Sequence, residues 1–204
     1  LKIEPKKVTI TAEDATKVYD GKALTQSEFT TTALEEGDTH KFAVKMTADS
    51  TIRNVGTQPN VIATVDGVNV TTGVEEQIGN YLVTTANGTL EVTPVTDEVV
   101  VKIVGKTKTE TYDGTEKKVE GYTVTIDNDL YTEDDFEFSG TAYAEGTNAD
   151  TYPMGLKAEQ FANTSANFSK VKFVVTDGSL TINPFEITIT ATSYTVEYDG
   201  QAHG

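Results

Sequence analysis

Apolar and polar side chains alternate along several short stretches of this chain. Residues 6–12 (KKVTITA), 40–46 (HKFAVKM), 60–65 (NVIATV) and 88–94 (GTLEVTP) each show the pattern, and turn-forming residues bound each one. A period of two marks half-buried strands, because successive side chains of an extended chain point to opposite faces. Apolar residues at helical spacing run no further than about two turns. Residues 27–36 (SEFTTTALEE) come nearest, and their threonines, stiff at χ1, disfavour helix. About seven strands in roughly 90 residues, with frequent turn signals, predict an all-β chain of small antiparallel β-sandwiches of the immunoglobulin-like kind. A β-grasp, with one helix laid across a sheet, is the alternative.

The pattern then recurs. LKIEPKKVTITA from Leu1, LEVTPVTDEVVVKI from Leu90 and LTINPFEITITA from Leu180 share a leucine, an apolar residue two further on, a proline two beyond that, and a Val/Ile/Thr run. The prolines Pro5, Pro94 and Pro184 stand 89 and 90 residues apart. Ahead of two of them lies a matched pair, NYLVTTANGTL from Asn80 and NFSKVKFVVTDGSL from Asn167. Landmarks in constant order at a period near 90 predict tandem modules. The expected division is the last strand of a preceding repeat at 1–5, one module at 6–94, a second at 95–184, and the opening strands of a third at 185–204, arranged end to end. Nothing at the junctions resembles a Gly/Ser linker. Proline fixes its own φ and holds the residue before it extended, so the joints are expected to be stiff.

One tripeptide marks the repeats: Tyr19-Asp20-Gly21, Tyr112-Asp113-Gly114 and Tyr198-Asp199-Gly200. Asp-Gly suits a two-residue hairpin turn, in which glycine takes positive φ without penalty and aspartate tolerates it. The expectation is a strand end followed by a tight reversal, with the tyrosine ring packed on the sheet. Asn87-Gly88 and Asp177-Gly178 are expected to turn the chain in the same way between the last two strands of each module. As a ligand or metal site the tripeptide offers one phenol and one carboxylate, with no base beside them.

Composition narrows the chemistry. The formal charge of −16 repels nucleic acid and anionic lipid alike. The two modules carry −5 (seven basic, twelve acidic residues) and −8 (eight basic, sixteen acidic), a mild mutual repulsion that should keep the array extended; a monomer is expected. There is no cysteine, which removes disulfides, thiolate metal sites and a cysteine nucleophile. No apolar run of about 18 residues is present to span a bilayer, and no direct membrane insertion is expected. Residue 1 falls inside a strand-like pattern with no signal sequence ahead of it, as in a piece of a longer chain.

Catalytic and metal chemistry find little support. His40 and His203 occupy different positions in their repeats, and neither comes with the partners of a serine triad or a metal site. The acidic run from Asp127 to Glu137 misses the EF-hand order, since Tyr131 stands at its fifth position and no glycine follows. Paired carboxylates for glycoside cleavage would need a cleft that a narrow sandwich rarely builds. An internal Lys–Asn cross-link would join Lys102 to Asn183, but the first module carries Thr93 at one matching position and Thr or Ala near the other. No cofactor and no enzymatic activity are expected.

The order of a Val/Ile/Thr strand, Tyr-Asp-Gly, the EEGD turn (Glu35 to Asp38), NVGTQPNV (Asn54 to Val61) and NYLVTTANGTLEVTP (Asn80 to Pro94) resembles the YDG-type and MBG-type repeats of large bacterial surface proteins. The second module departs from it with EDDFEF (Glu133 to Phe138) and NADT (Asn148 to Thr151). The resemblance implies a secreted or cell-wall protein in which modules stand in series as a stalk or beside an adhesive domain, and it supplies no catalytic residues. Neighbouring modules are the first expected partners. A rival expectation is an adhesin-type module that binds host or cell-wall glycans or proteins through its loops, with Tyr131, Tyr143 and Tyr152 as the contact residues.

Overall fold

The computed structural model describes residues 2–202, so Leu1, at the start of the expected strand 1–5, and His203 lie outside the described residues. The chain is all-β. Among the described residues the only helical turns are two 3-10 turns, Glu133–Asp135 and Ala158–Gln160, so no helix is present to cross a sheet as a β-grasp requires.

The first repeat contains ten strands: β1 (Lys6–Ala12), β2 (Ala15–Val18), β3 (Phe29–Thr31), β4 (Val44–Met46), β5 (Gly56–Asn60), β6 (Ile62–Val65), β7 (Val68–Asn69), β8 (Glu76–Ile78), β9 (Tyr81–Ala86) and β10 (Gly88–Thr93). The alternation at 6–12 is realised residue for residue, with Val8, Ile10 and Ala12 buried. The window at 40–46 shortens to β4, because the Asp38 carboxylate accepts the His40 N–H at 2.8 Å and curls the chain ahead of it. Residues 27–36, the nearest approach to a helical pattern, contain strand β3.

Pairing is not purely antiparallel, as the sandwich expectation had it. Strand β1 lies between β3, antiparallel, and β9, parallel; β10 lies between β2, parallel, and β5, antiparallel. β1 and β2 are one path broken at Glu13-Asp14, and β9 and β10 are another broken at Asn87. The first and last strands of the repeat therefore run side by side in the same direction and pass together from one sheet to the next, the way strands make corners between sheets. Asn60 pins the break, its buried amide donating to the carbonyls of Glu13 (2.9 Å) and Gln26 (3.1 Å). Val8, Ile10, Phe42, Ile62, Val65, Ile78, Tyr81 and Val83 form the core on one side of this corner.

The second repeat adds β11 (Val99–Gly105), β12 (Thr107–Thr111), β13 (Lys117–Glu120), β14 (Tyr122–Ile126), β15 (Phe136–Phe138), β16 (Tyr143–Gly146), β17 (Asp150–Pro153), β18 (Phe161–Asn163), β19 (Val171–Thr176) and β20 (Ser179–Asn183). Its last strand β20 again takes a parallel neighbour, β12, and an antiparallel one, β17. The chain forms two compact units. One comprises residues 1–103, 124–139 and 158–174, which include the whole first repeat, most of the sheet β14-β11-β19 and the pair β15-β18. The other comprises 104–123, 140–157 and 175–204, with β12-β20-β17 and the pair β13-β16 around Val119, Ala144, Leu156, Leu180 and Ile182.

The opening strands expected at 185–204 are not formed: the described residues from Phe185 onward contain no strand, with Ile187 and Ile189 74% and 87% exposed. Their counterparts Val8 and Ile10 are 2% and 0% exposed in β1, where the module's own later strand β9 covers them. Among the described residues no later strand pairs with 185–191, and a lone hairpin is marginal in water.

Candidate functional site

The three Tyr-Asp-Gly copies share one local geometry. In each, the aspartate Oδ1 accepts the backbone N–H two residues on, from Lys22, Thr115 and Gln201, at 2.9 Å in every case. The glycines take φ of +73°, +81° and +75°, while the aspartates keep negative φ. The hairpin expectation is thereby corrected: the favoured two-residue turns need positive φ at the first central residue, which the aspartate here does not take, and its side chain closes an Asx turn instead. The strand after the second turn joins a different sheet from the strand before it. β12 pairs with β20, whereas β13 pairs with β16. Each turn is charge-braced where a lysine is in reach. The Lys17 ammonium, followed by the Lys22 N–H, lowers Asp20, and the Lys117 ammonium, followed by the Thr115 hydroxyl and amide, holds Asp113 well below the usual carboxylate range.

Asn87-Gly88 and Asp177-Gly178 are not hairpin turns either, and neither glycine has positive φ. They sit where the last strand changes sheet. A Cβ on Gly88 would lie 2.5 Å from the carbonyl oxygens of Ala12 and Glu13; one on Gly178 would lie 2.5 Å from the Lys106 carbonyl and 2.6 Å from Met154 Sδ. Glycine is required there for close approach of two backbones.

The first tripeptide does more than turn the chain. Tyr19 stands edge-on to Phe168, ring centroids 5.7 Å apart, and Gly21 faces Leu130. Beside them Val55 donates its N–H to Asn167 Oδ1 at 2.9 Å. Val95 bridges Phe168 in parallel and donates to the Asn167 carbonyl, directly after Pro94. Phe168 is buried and its other face meets Tyr131 at 5.0 Å. All of these residues lie within the first compact unit. The tripeptide, the NVGT loop, the proline junction and the Asn-aromatic pair, four separate landmarks of the sequence, thus converge where the first repeat meets the start of the second.

A second cluster lies within the first repeat, around Tyr81. The Tyr81 hydroxyl donates to Asp38 in a short hydrogen bond, which lowers the Asp38 carboxyl and, with burial and the carboxylate charge, pushes the phenol up to about 12. His40 Nε2 lies 2.8 Å from Asp66 Oδ2, whose other oxygen takes the Ala43 N–H. The His40 ring stands against Phe42 and Tyr81. Both carboxylates are occupied by protein donors, an arrangement that ties the 35–43 loop to β9 through Asp38 and to the turn between β6 and β7 through Asp66. The sequence alone leaves His40 without partners and gives no role to Asp38 or Tyr81; the signal that it does carry is Asn80-Tyr81 standing at the position of Asn167-Phe168.

Residues 98–184 match the family model described as MBG domain. That stretch is similar to an MBG-type repeat domain. No curated protein and no solved structure matches the chain. The first repeat lies outside that match, and its likeness to the MBG repeat rests on the shared landmarks and on the parallel pairing of first and last strands.

Within the matched repeat the three tyrosines singled out as contact residues differ in environment. Tyr131, in the first compact unit, is 2% exposed; its hydroxyl donates toward the Asp135 carbonyl and Asn163 Oδ1, both at 3.0 Å, and burial pushes it up to about 12. Tyr143 and Tyr152 belong to the second unit. Tyr152 packs its ring on Gly146 and donates to the Asn148 carbonyl at 3.2 Å. Tyr143 is exposed on β16, with the Lys118 ammonium 4.5 Å from its ring centroid. Two carboxylates of the acidic run are taken up by backbone: Asp127 accepts the Val100 N–H and Asp135 that of Thr132, while the neighbouring Asn128 accepts that of Leu130. Among the described residues no group of three or more His, Cys, Asp or Glu is placed to hold a metal ion.

Proposed function

We propose that the chain is a non-catalytic spacer from a secreted or cell-wall protein, in which MBG-type repeats stand in series and carry another domain away from the surface. The observation that carries this reading is the joint at Pro94. Tyr19, Val55 and Val95 all engage Asn167-Phe168, so one repeat passes to the next through packed rings and backbone hydrogen bonds with no free linker. Such a joint resists bending without needing a ligand. The acidic surface supports the same reading, since it favours solubility and discourages lateral association. Small-angle scattering on chains with increasing numbers of repeats tests it: the maximum dimension is expected to rise by a constant increment per repeat, and a chain that collapses on lengthening contradicts it.

An adhesin-type reading rests on Tyr143 alone among the three tyrosines, because only its ring is substantially exposed. Binding to glycans or matrix proteins that is lost in Tyr143→Ala, with the fold unchanged, would favour that reading over the spacer.

A further inference from the structure

The joint at Pro94 has an unfilled counterpart at Pro5. Pro5 precedes Lys6 as Pro94 precedes Val95, and Lys6 donates to the Asn80 carbonyl at 2.9 Å as Val95 donates to that of Asn167 at the same distance. Tyr81 follows Asn80 and pairs with Lys6, as Phe168 follows Asn167 and pairs with Val95. In the second repeat this surface is covered by Tyr19, Gly21 and Val55 of the first. In the first repeat it is an open groove of about 500 Å³, lined among others by Pro5, Lys6, Glu35, Asp38, Asn80 and Tyr81.

Two further observations mark the groove as a vacated contact. Asn167 Oδ1 takes the Val55 N–H, whereas the Asn80 side-chain amide has no hydrogen-bond partner among the described residues. Ile3, also on the groove, is 85% exposed, while Val92, which holds the same place before Pro94, is 1% exposed under its pairing with β2.

We propose that this groove is the docking socket for another repeat of the same kind, carried ahead of Lys6 on the same polypeptide, whose Tyr-Asp-Gly turn lays its tyrosine against Tyr81 and whose Asn-x-Gly or Asn-x-Asp loop donates a backbone N–H to Asn80 Oδ1. The polar floor suits this occupant. Lys6 and Glu35 pair at 2.9 Å, and Asp38 takes the Tyr81 hydroxyl while keeping its negative charge, so the groove presents two oxygen acceptors, the Asp38 carboxylate and the Asn80 amide, over the nearly buried Tyr81 ring. The inference goes beyond the spacer reading and holds whatever domain the repeats carry.

The test is the full chain with a copy of residues 95–184 inserted between Pro5 and Lys6, so that the copy's Pro184 leads into Lys6. A second form carries a copy of 6–94 there with segmental isotope labelling, so that misfolding of one insert leaves the other to decide. Backbone hydrogen exchange over 78–83 of the original first repeat is expected to slow about tenfold relative to the 204-residue chain, and Tyr112→Ala in the inserted copy, or Tyr19→Ala in the second form, is expected to restore the original rate. Unchanged exchange in a folded insert, or slowing that ignores the tyrosine, overturns the proposal. So does equal protection that appears in the 204-residue chain on raising its concentration, because the occupant is then a second molecule. Failure of the spacer reading would leave these exchange rates untouched and would show instead in the scattering series.

Discussion

Val55 gives its backbone N–H to the side chain of Asn167, a residue 112 positions later, at 2.9 Å. The bond ties a loop of the first repeat to the start of the second beside the Tyr19–Phe168 ring contact. The recurring tripeptide thus has two physical duties, an Asx turn that every copy performs and a docking contact that the first copy makes through Tyr19. Exposure follows that division: Tyr19 is half-buried, Tyr112 is 39% exposed and Tyr198 is 96% exposed.

Gly21→Ala and Gly114→Ala separate the two duties. Both force a side chain into positive φ, a cost of about 1–2 kcal/mol. A Cβ on Gly114 meets nothing within 4 Å, whereas one on Gly21 comes 3.2 Å from Leu130 Cδ2. Urea denaturation should show both variants destabilised, with Gly21→Ala the more so; the reverse order would remove Gly21 from the joint.

At the sheet crossings the glycines answer to crowding. Gly88→Ala puts a methyl group 2.5 Å from two carbonyl oxygens, so a loss of about 1–3 kcal/mol is expected, as for overpacking elsewhere. Gly79→Ala, with φ of +59° and open space around it, is the comparison. If Gly88→Ala is the milder of the two in thermal denaturation, the close approach of first and last strands is misplaced.

Much of this was legible in the sequence, and the gaps have physical causes. The alternation at 6–12 reported β1 faithfully because one face of that strand is fully buried, which leaves period two no ambiguity. The repeat period was legible because its landmarks are glycines, prolines and aromatics fixed by geometry. Asp-Gly misled: the dipeptide fits both a hairpin and an Asx turn, and the choice depends on which sheet the next strand joins, a tertiary fact. Parallel pairing of β1 with β9 left no local mark, since residues more than 70 positions apart decide it. The joint was half legible, for Asn80-Tyr81 and Asn167-Phe168 were matched as landmarks, but nothing local says that such a pair receives another repeat.

The Asp38–Tyr81 bond makes a pH prediction of definite sign. Tyr81 has its phenol raised from 10.0 to about 12 in the folded protein, so its contribution is whole below pH 10 and is lost as the pH climbs through about 12. Asp38 is lowered, so its contribution is whole above the ordinary carboxylate range and fades as the pH falls through the lowered value. Ultraviolet titration should find phenols ionising near pH 12, one fewer in Tyr81→Phe, and that variant should lose the high-pH part of its stability profile. A titration in which every tyrosine ionises near 10 would contradict the bond.

The contact between Tyr19 and Phe168 can be measured directly by a double-mutant cycle in denaturant, using Tyr19→Ala, Phe168→Leu and the pair. An edge-to-face pair across a packed joint is expected to give a coupling of about 0.5–1.5 kcal/mol. Strict additivity of the two substitutions would mean that the repeats meet without holding each other, and the spacer account would lose its joint.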